Sequence, residues 1–91
     1  MADRYTGKQA KAIIAECLKA GRVSWSGHAL ERMNKRGIDA AEVLRVLRGG
    51  VVRAAEFEGG SWRHQVAAGR VVVVVTLRED STLVVTAMKA R

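Results

Sequence analysis

The chain has 91 residues, enough for one small domain with a modest core. Hydrophobic residues make up 48% of it and charged residues 27%, a balance typical of globular proteins and unlike that of disordered chains. The longest apolar run, residues 71–75, is far shorter than the ~18–20 residues of a membrane span, so no membrane partner is expected. The net charge of +7 favours nucleic acid or another polyanion as a partner.

The few cysteines and histidines bear on compartment and cofactors. Cys17 is the single cysteine and cannot form an internal disulfide, which indicates a reducing compartment and a cytoplasmic protein. The two histidines and Cys17 lack the spacing of zinc ligands, and no glycine-rich phosphate loop follows a predicted strand. We therefore expect no metal and no cofactor, in a single domain over residues 1–91.

Three helices are predicted in the first half of the chain. Each candidate helix begins at a residue whose side-chain oxygen suits an N-cap and ends at glycine. The three helices are expected between the following residues: Thr6 to Gly21, Ser26 to Gly37, and Asp39 to Gly49–Gly50.

Strand-forming residues dominate the second half, after Gly50. Four strands are predicted: Val51–Phe57, Trp62–Ala67, Val71–Leu77 and Thr82–Met88. Short turns make neighbouring strands antiparallel, so the fold class is α+β, with about three N-terminal helices packed on a four-stranded antiparallel sheet. Leu83, Val85 and Ala87 are expected on the helix-packed side, and His64 is expected in or near the core as a hydrogen-bonded structural residue.

The second predicted helix carries the first candidate site. His28, Arg32 and Arg36 are spaced four apart, so they share one stripe of this helix. An imidazole beside two guanidinium groups suits phosphodiester chemistry, in which His28 moves a proton and the arginines hold the phosphate. Glu31 and Lys35 have the same spacing, which predicts an ordinary surface ion pair.

The predicted sheet adds cations and polar groups to this site. Arg63 and Gln65 fall on the more polar face of their strand, and with Thr86 and Arg53 they are expected to line a shallow basic groove. RNA supplies its own nucleophile, the 2′-hydroxyl, so an enzyme that cleaves it needs a base, an acid and cations around the phosphate. Metal-free RNA cleavage is therefore compatible with these residues.

A resemblance covers the second helix and most of the chain. Residues 26–38, SGHALERMNKRGI, resemble the Ser-x-His-Ala-x-x-Arg-Met-x-x-Arg-Gly-Ile signature of a widespread bacterial family of domains of unknown function. Members of that family are grouped with the small RNase toxins of the barnase, colicin and RelE type. The resemblance implies a RelE-like or barnase-like fold, metal-independent endoribonuclease activity, RNA as substrate with messenger RNA expected, and an antitoxin protein as partner.

Residues 21–24, GRVS, have the Gly-x-Val-Ser/Thr pattern, and residues 83–86, LVVT, lie in the last predicted strand. In these features the chain is also similar to the motility quorum-sensing regulator toxins, which are small RNases of the same superfamily. It departs from them at three positions: Arg63 stands for a glutamine, Val72 for a tyrosine, and Met88 for a lysine, with Lys89 one step away. The similarity therefore implies that His28 and the arginines carry more of the catalytic task here.

Residues and resemblance together assign two sets of candidate site residues. The catalytic set is His28, Arg32, Arg63 and Thr86, and the nucleic-acid-binding set is Lys35, Arg36, Arg53 and Gln65. Two alternatives stay open: a non-catalytic module that binds nucleic acid or protein through the same groove, and purely structural roles in which the arginines pair with carboxylates such as Glu31 and Glu42. A homodimer is also left open.

Overall fold

The computed structural model describes residues 4–90. Its helices are α1 (Gly7–Ala20), α2 (Gly27–Arg36) and α3 (Ala40–Gly49). Its strands are β1 (Val23–Trp25), β2 (Val51–Val52), β3 (Glu56–Glu58), β4 (Ser61–Ala68), β5 (Val71–Arg78) and β6 (Ser81–Lys89). The predicted single domain over residues 1–91 includes residues 1–3 and 91, which lie outside the described range, so it stays a prediction.

All three helices begin where the sequence predicts. The side chains of Thr6, Ser26 and Asp39 each accept a hydrogen bond from the backbone amide three residues further on, at 3.1, 2.9 and 2.8 Å. Gly37 ends α2 with a φ of 66°, a left-handed conformation that favours glycine. None of the helices within residues 4–90 has both the length and the apolar character needed to cross a membrane.

The sheet differs from the predicted four-stranded antiparallel one. Within residues 4–90 it has six strands in the order β1-β6-β5-β4-β2, with β3 also paired to β4, and β1 runs parallel to β6. The predicted strand Val51–Phe57 is divided into β2 and β3, with residues 53–55 between them. The short β1 was not predicted as part of the sheet, since three residues carry too little alternation to identify a strand.

The core lies between the three helices and one face of the sheet. Ile14, Met33 and Val43 from the helices are buried against Val73 and Val75 of the central strand β5. This arrangement leaves the opposite face of the sheet without a helix, as is common for sheets with antiparallel strands. The molecule is therefore α+β, with its helices on one side.

A further sequence expectation concerns the buried His64. His64 is fully buried, and its Nε2 lies 3.2 Å from the amide nitrogen and 3.1 Å from the carbonyl oxygen of Tyr5. This confirms His64 as a structural residue, since it ties the segment before α1 to β4. Cys17 is also buried, in α1.

A bulge in β6 reverses the expected facing of several side chains. Val75 pairs with Val84, but Val74 pairs with Thr86, so Val85 is an extra residue in the ladder. Val84 is consequently buried and Leu83 is 37% exposed. The prediction that Leu83 and Val85 pack toward the helices is wrong, while Ala87, beyond the bulge, is buried as expected.

Candidate functional site

Helix α2 lies along the edge of β6 where β1 ends. The backbone amide of Ser26 donates to the carbonyl oxygen of Val84 at 3.0 Å, and the Ser26 hydroxyl donates to that of Val85 at 3.1 Å. Nη1 of Arg36 donates to the carbonyl oxygen of Ala87 at 2.7 Å. These bonds satisfy backbone acceptors at an edge that would otherwise need water. They also hold both ends of α2 against β6.

The position of α2 on β6 determines how far His28, Arg32 and Arg36 are exposed to solvent. His28 is exposed in the first turn of α2, and Arg32 is half-buried one turn further on. The guanidinium of Arg36 donates to the carbonyl oxygen of Ala87, so Arg36 has a structural role besides the predicted binding role. The predicted ion pair is confirmed, because Lys35 Nζ lies 3.5 Å from Glu31 Oε1 with both side chains exposed.

A cleft of about 360 Å³ opens on the helix-free face of the sheet; we call it the sheet cleft. Its lining comes from β4, β5, β6 and the residue before α2: Ser26, Ser61, Arg63, Thr76, Arg78, Ser81, Leu83 and Val85. Two guanidinium groups and four hydroxyls thus surround a small aliphatic surface. The lining includes no carboxylate.

Arg63 has unused hydrogen-bonding capacity in the sheet cleft. Its side chain is 28% exposed, and its nearest carboxylate, that of the exposed Glu58, lies 4.0 Å away. Within residues 4–90, no hydrogen-bond partner is found for its buried Nε. The turn residue Gly59 leaves room for this guanidinium, because a Cβ there would lie 3.0 Å from Arg63 Nη2. A ligand with acceptor oxygens would bind the exposed end of this guanidinium, whereas the Nε lies below the surface.

Arg78 gives the sheet cleft a second positive charge. It follows Thr76 by two residues on β5, so both side chains share the face that Arg63 occupies on β4. The carboxylate of Glu58, 4.0 Å from Arg63, offsets at most one of the two guanidinium charges, so the cleft keeps a net positive charge. The planar guanidinium groups can bind phosphate oxygens through paired hydrogen bonds. The arrangement is suited to a phosphate-bearing ligand.

The other predicted groove residues lie beside the sheet cleft and do not line it. Gln65, Val74 and Thr86 form one cross-strand row on the same face. Arg53 joins this row, since its Nη1 lies 3.4 Å from Gln65 Oε1 and its backbone amide donates to the Gln65 carbonyl at 2.8 Å. The structure therefore brings Arg53, Gln65 and Thr86 to one face with Arg63.

His28 and Arg63 lie on elements that do not adjoin each other, since α2 packs on β6 and Arg63 is on β4. Strand β4 lies two strands from β6, a separation of about 10 Å. The sheet cleft nevertheless connects them, because it extends from Arg63 to Ser26, two residues before His28. Of the predicted catalytic residues, Arg63 alone lines the cleft, and His28 lies near its α2 end.

Four residues that line the sheet cleft are not among the predicted site residues: Arg78, Ser61, Thr76 and Ser81. The predicted strands end at Leu77 and begin again at Thr82, which leaves Arg78 and Ser81 in the predicted turn. In the structure they instead pair with each other at the ends of β5 and β6. Extending the period-two alternation by one residue pair would have placed Arg78 beside Thr76.

Metal ligation has no obvious location in the described part of the chain. Within residues 4–90, no group of three or more His, Cys, Asp or Glu side chains is positioned to hold an ion.

Comparison with known proteins gives a family and no closer relative. The model of a domain of unknown function, DUF4258, matches residues 25–89, so most of the chain is covered. The protein belongs to this family. The match begins in β1 and ends in β6, and α1 lies outside it. No curated protein and no solved structure matches the chain.

Proposed function

We propose that this protein is a small endoribonuclease that cleaves RNA through its 2′-hydroxyl without a metal ion. The sheet cleft carries the proposal, because it places Arg63 and Arg78 beside four hydroxyls with no lining carboxylate. One end of the cleft lies at Ser26, the N-cap of α2, and the exposed His28 follows two residues later in the first turn of that helix. The proposal therefore combines the arginine donors of the cleft with the imidazole that follows its α2 end.

The proposed reaction needs a base, a proton donor for the leaving oxygen, and cations around the phosphate. His28 accepts the proton of a 2′-hydroxyl, and that oxygen attacks the adjacent phosphorus. The bond from phosphorus to the 5′ oxygen of the next nucleotide breaks, and this oxygen takes a proton from a water molecule, to which His28 returns the proton that it accepted. The products are a 2′,3′-cyclic phosphate and a 5′-hydroxyl. Arg63 and Arg78 stabilise the charge that develops on the phosphate oxygens, and Arg32 adds a cation on the His28 side.

The sequence resemblance supports the biological part of the proposal. Residues 26–38 resemble the signature of a family grouped with small RNase toxins. Three helices followed by the antiparallel strands β4, β5 and β6 are compatible with the RelE-like fold that this resemblance implies. The protein then acts as a cytoplasmic toxin on messenger RNA and is neutralised by an antitoxin protein.

A second function is favoured by one observation. The residues lining the sheet cleft include no histidine, carboxylate, lysine or tyrosine, so the cleft itself offers no side chain of the usual general-base types. A module that binds RNA phosphates without cleaving them would need only the arginines and hydroxyls. The two functions share the same binding surface and differ in whether His28 takes part in a reaction.

The test compares cleft arginines with a matched control. Arg63→Ala and Arg78→Ala are measured against Arg45→Ala, an exposed α3 arginine whose loss changes the net charge equally. A mixed fluorescent RNA pool is incubated with each protein in EDTA. We expect each cleft variant to lower the cleavage rate at least tenfold, since one well-aimed donor contributes about 2–4 kcal/mol to a transition state. Arg45→Ala should stay within twofold of the parent.

Binding distinguishes the two candidate functions. RNA retention without turnover, lost in Arg63→Ala and Arg78→Ala, would support the binding module. Equal losses in all three variants would contradict a role for the sheet cleft and would indicate diffuse attraction to a basic surface. Urea unfolding midpoints close to that of the parent would show that the variants are folded.

A further inference from the structure

A second concave surface lies on the helical side of the molecule, away from the sheet cleft. Two depressions of about 260 and 230 Å³ lie where α1 and α3 meet, and they share Leu18 and Arg48 in their linings. We call the combined surface the helix groove. From Lys11 to Gly21 it follows α1 for about 15 Å, which is about three helical turns.

The helix groove has an apolar floor. The half-buried side chains of Leu18, Leu44 and Trp25 lie along it, together with the exposed Ala15 and the buried Leu47. Continuous apolar surface of this kind is a common feature of sites where one protein binds another.

The rim of the helix groove carries one sign of charge. Lys11, Lys19 and Arg48 line it, and the lining includes no acidic side chain. A second copy of this chain would present the same basic residues on a molecule of net charge +7, so like-charge repulsion opposes self-association here. The charge instead complements an acidic partner.

The apolar floor and the basic rim together indicate a partner that has both apolar and acidic groups. A sugar-phosphate backbone would meet the cations but leave Leu18, Leu44 and Trp25 without apolar contacts. An amphipathic helix matches both parts, because its apolar stripe covers the floor while acidic residues on each side reach the rim. We propose that the helix groove binds an acidic amphipathic helix of a partner protein.

The location of the groove makes this binding independent of the proposed RNA site. The helices pack on one face of the sheet, and the sheet cleft lies on the other. Four of the ten lining residues come from α1, which precedes the residues 25–89 matched by the family. The inference therefore does not rest on RNA cleavage, and the two can succeed or fail separately.

The test uses a fluorescein-labelled 14-residue peptide with leucine at helical i, i+3, i+4 and i+7 spacing and glutamate at most other positions. A shuffled peptide of the same composition lacks the apolar stripe. Binding is followed by fluorescence anisotropy with the whole protein at two salt concentrations. We expect the amphipathic peptide to bind at least tenfold more tightly than the shuffled one.

A matched pair of variants locates the binding site on the protein. Ala15 lies in the groove, whereas Ala12 is an exposed residue one turn earlier on α1 that does not line it. Ala15→Glu should weaken peptide binding at least tenfold, because it fills the floor and repels glutamate. Ala12→Glu introduces the same charge and should weaken binding by less than threefold.

Several results would overturn the proposal. Equal binding of the two peptides would show attraction by net charge alone, as would equal effects of Ala15→Glu and Ala12→Glu. Displacement of the peptide by an RNA oligonucleotide whose own binding is weakened by Ala15→Glu would make the groove an RNA site. A dimer in gel filtration that Ala15→Glu converts to monomer would assign the groove to a second copy of the chain.

Discussion

The guanidinium of Arg36 has a defined role in the fold. It donates to the carbonyl oxygen of Ala87 at 2.7 Å, at an edge of β6 that β1 does not reach. Its neighbour Lys35 contacts only the exposed carboxylate of Glu31 among the ion pairs of residues 4–90. Two adjacent cations in one motif therefore differ in what they stabilise.

This difference predicts unequal effects on stability. Arg36→Ala should lower the free energy of unfolding by about 1 kcal/mol, because a charged donor to a backbone carbonyl is lost at a partly solvated site. Lys35→Ala removes an exposed ion pair and should cost less than about 0.5 kcal/mol. Urea denaturation of both variants measures this. Equal stability of the two would contradict the structural role of Arg36.

At the scale of elements, the turn from α3 into β2 depends on close backbone packing at Gly50. A Cβ at this position would lie 2.5 Å from the Val46 carbonyl oxygen and 2.9 Å from that of Ala67. The conformation of Gly50 is extended, with a φ of −77°, so the constraint is steric and not conformational. Gly49, one residue earlier, has no atom within 4 Å of its Cβ position.

The neighbouring glycines should therefore respond differently to alanine. Gly50→Ala is expected to cost about 1–3 kcal/mol, because backbone atoms of α3 and β4 must move apart. Gly49→Ala should be neutral or stabilising by up to about 1 kcal/mol, since alanine favours helix. Thermal unfolding followed by circular dichroism compares them. If both variants melt alike, the packing of α3 against β4 is not as close as described.

The elements also show which parts of the fold the sequence predicts. The N-caps Thr6, Ser26 and Asp39 depend on residues within one turn, so local pattern is sufficient to locate the helices. The bulge at Val85 depends on how β6 pairs with β5, which no local pattern encodes. The parallel pairing of β1 is likewise a long-range contact.

The residues of the candidate site also differ in whether local sequence predicts them. Arg63 was predicted because it alternates with apolar neighbours on a clear strand. Arg78 was missed because its strand continues into residues typical of a turn. The sheet cleft itself, which joins residues from four separate segments, follows from the tertiary arrangement alone.

For the whole molecule, the structure separates two basic surfaces. The sheet cleft has arginines and hydroxyls, which suit phosphate groups, and the helix groove has cations around an apolar floor, which suits a protein helix. A net charge of +7 attracts polyanions to both faces. Competition between an acidic peptide and RNA therefore does not by itself show which surface each ligand binds. The matched variants of the sheet cleft and of the helix groove are needed to assign the binding sites.

We propose that RNA is cleaved where the sheet cleft meets α2. The most direct measurement incubates the purified protein and its His28→Ala variant with an RNA oligonucleotide and its 2′-O-methyl analogue, in EDTA, and identifies the product ends by mass spectrometry. We expect the parent protein to cleave the RNA to 2′,3′-cyclic phosphate ends and to leave the analogue intact. The cleavage rate should fall at least a hundredfold in His28→Ala. Cleavage that persists in His28→Ala, or an RNA that the parent retains but never cleaves, would contradict the proposal.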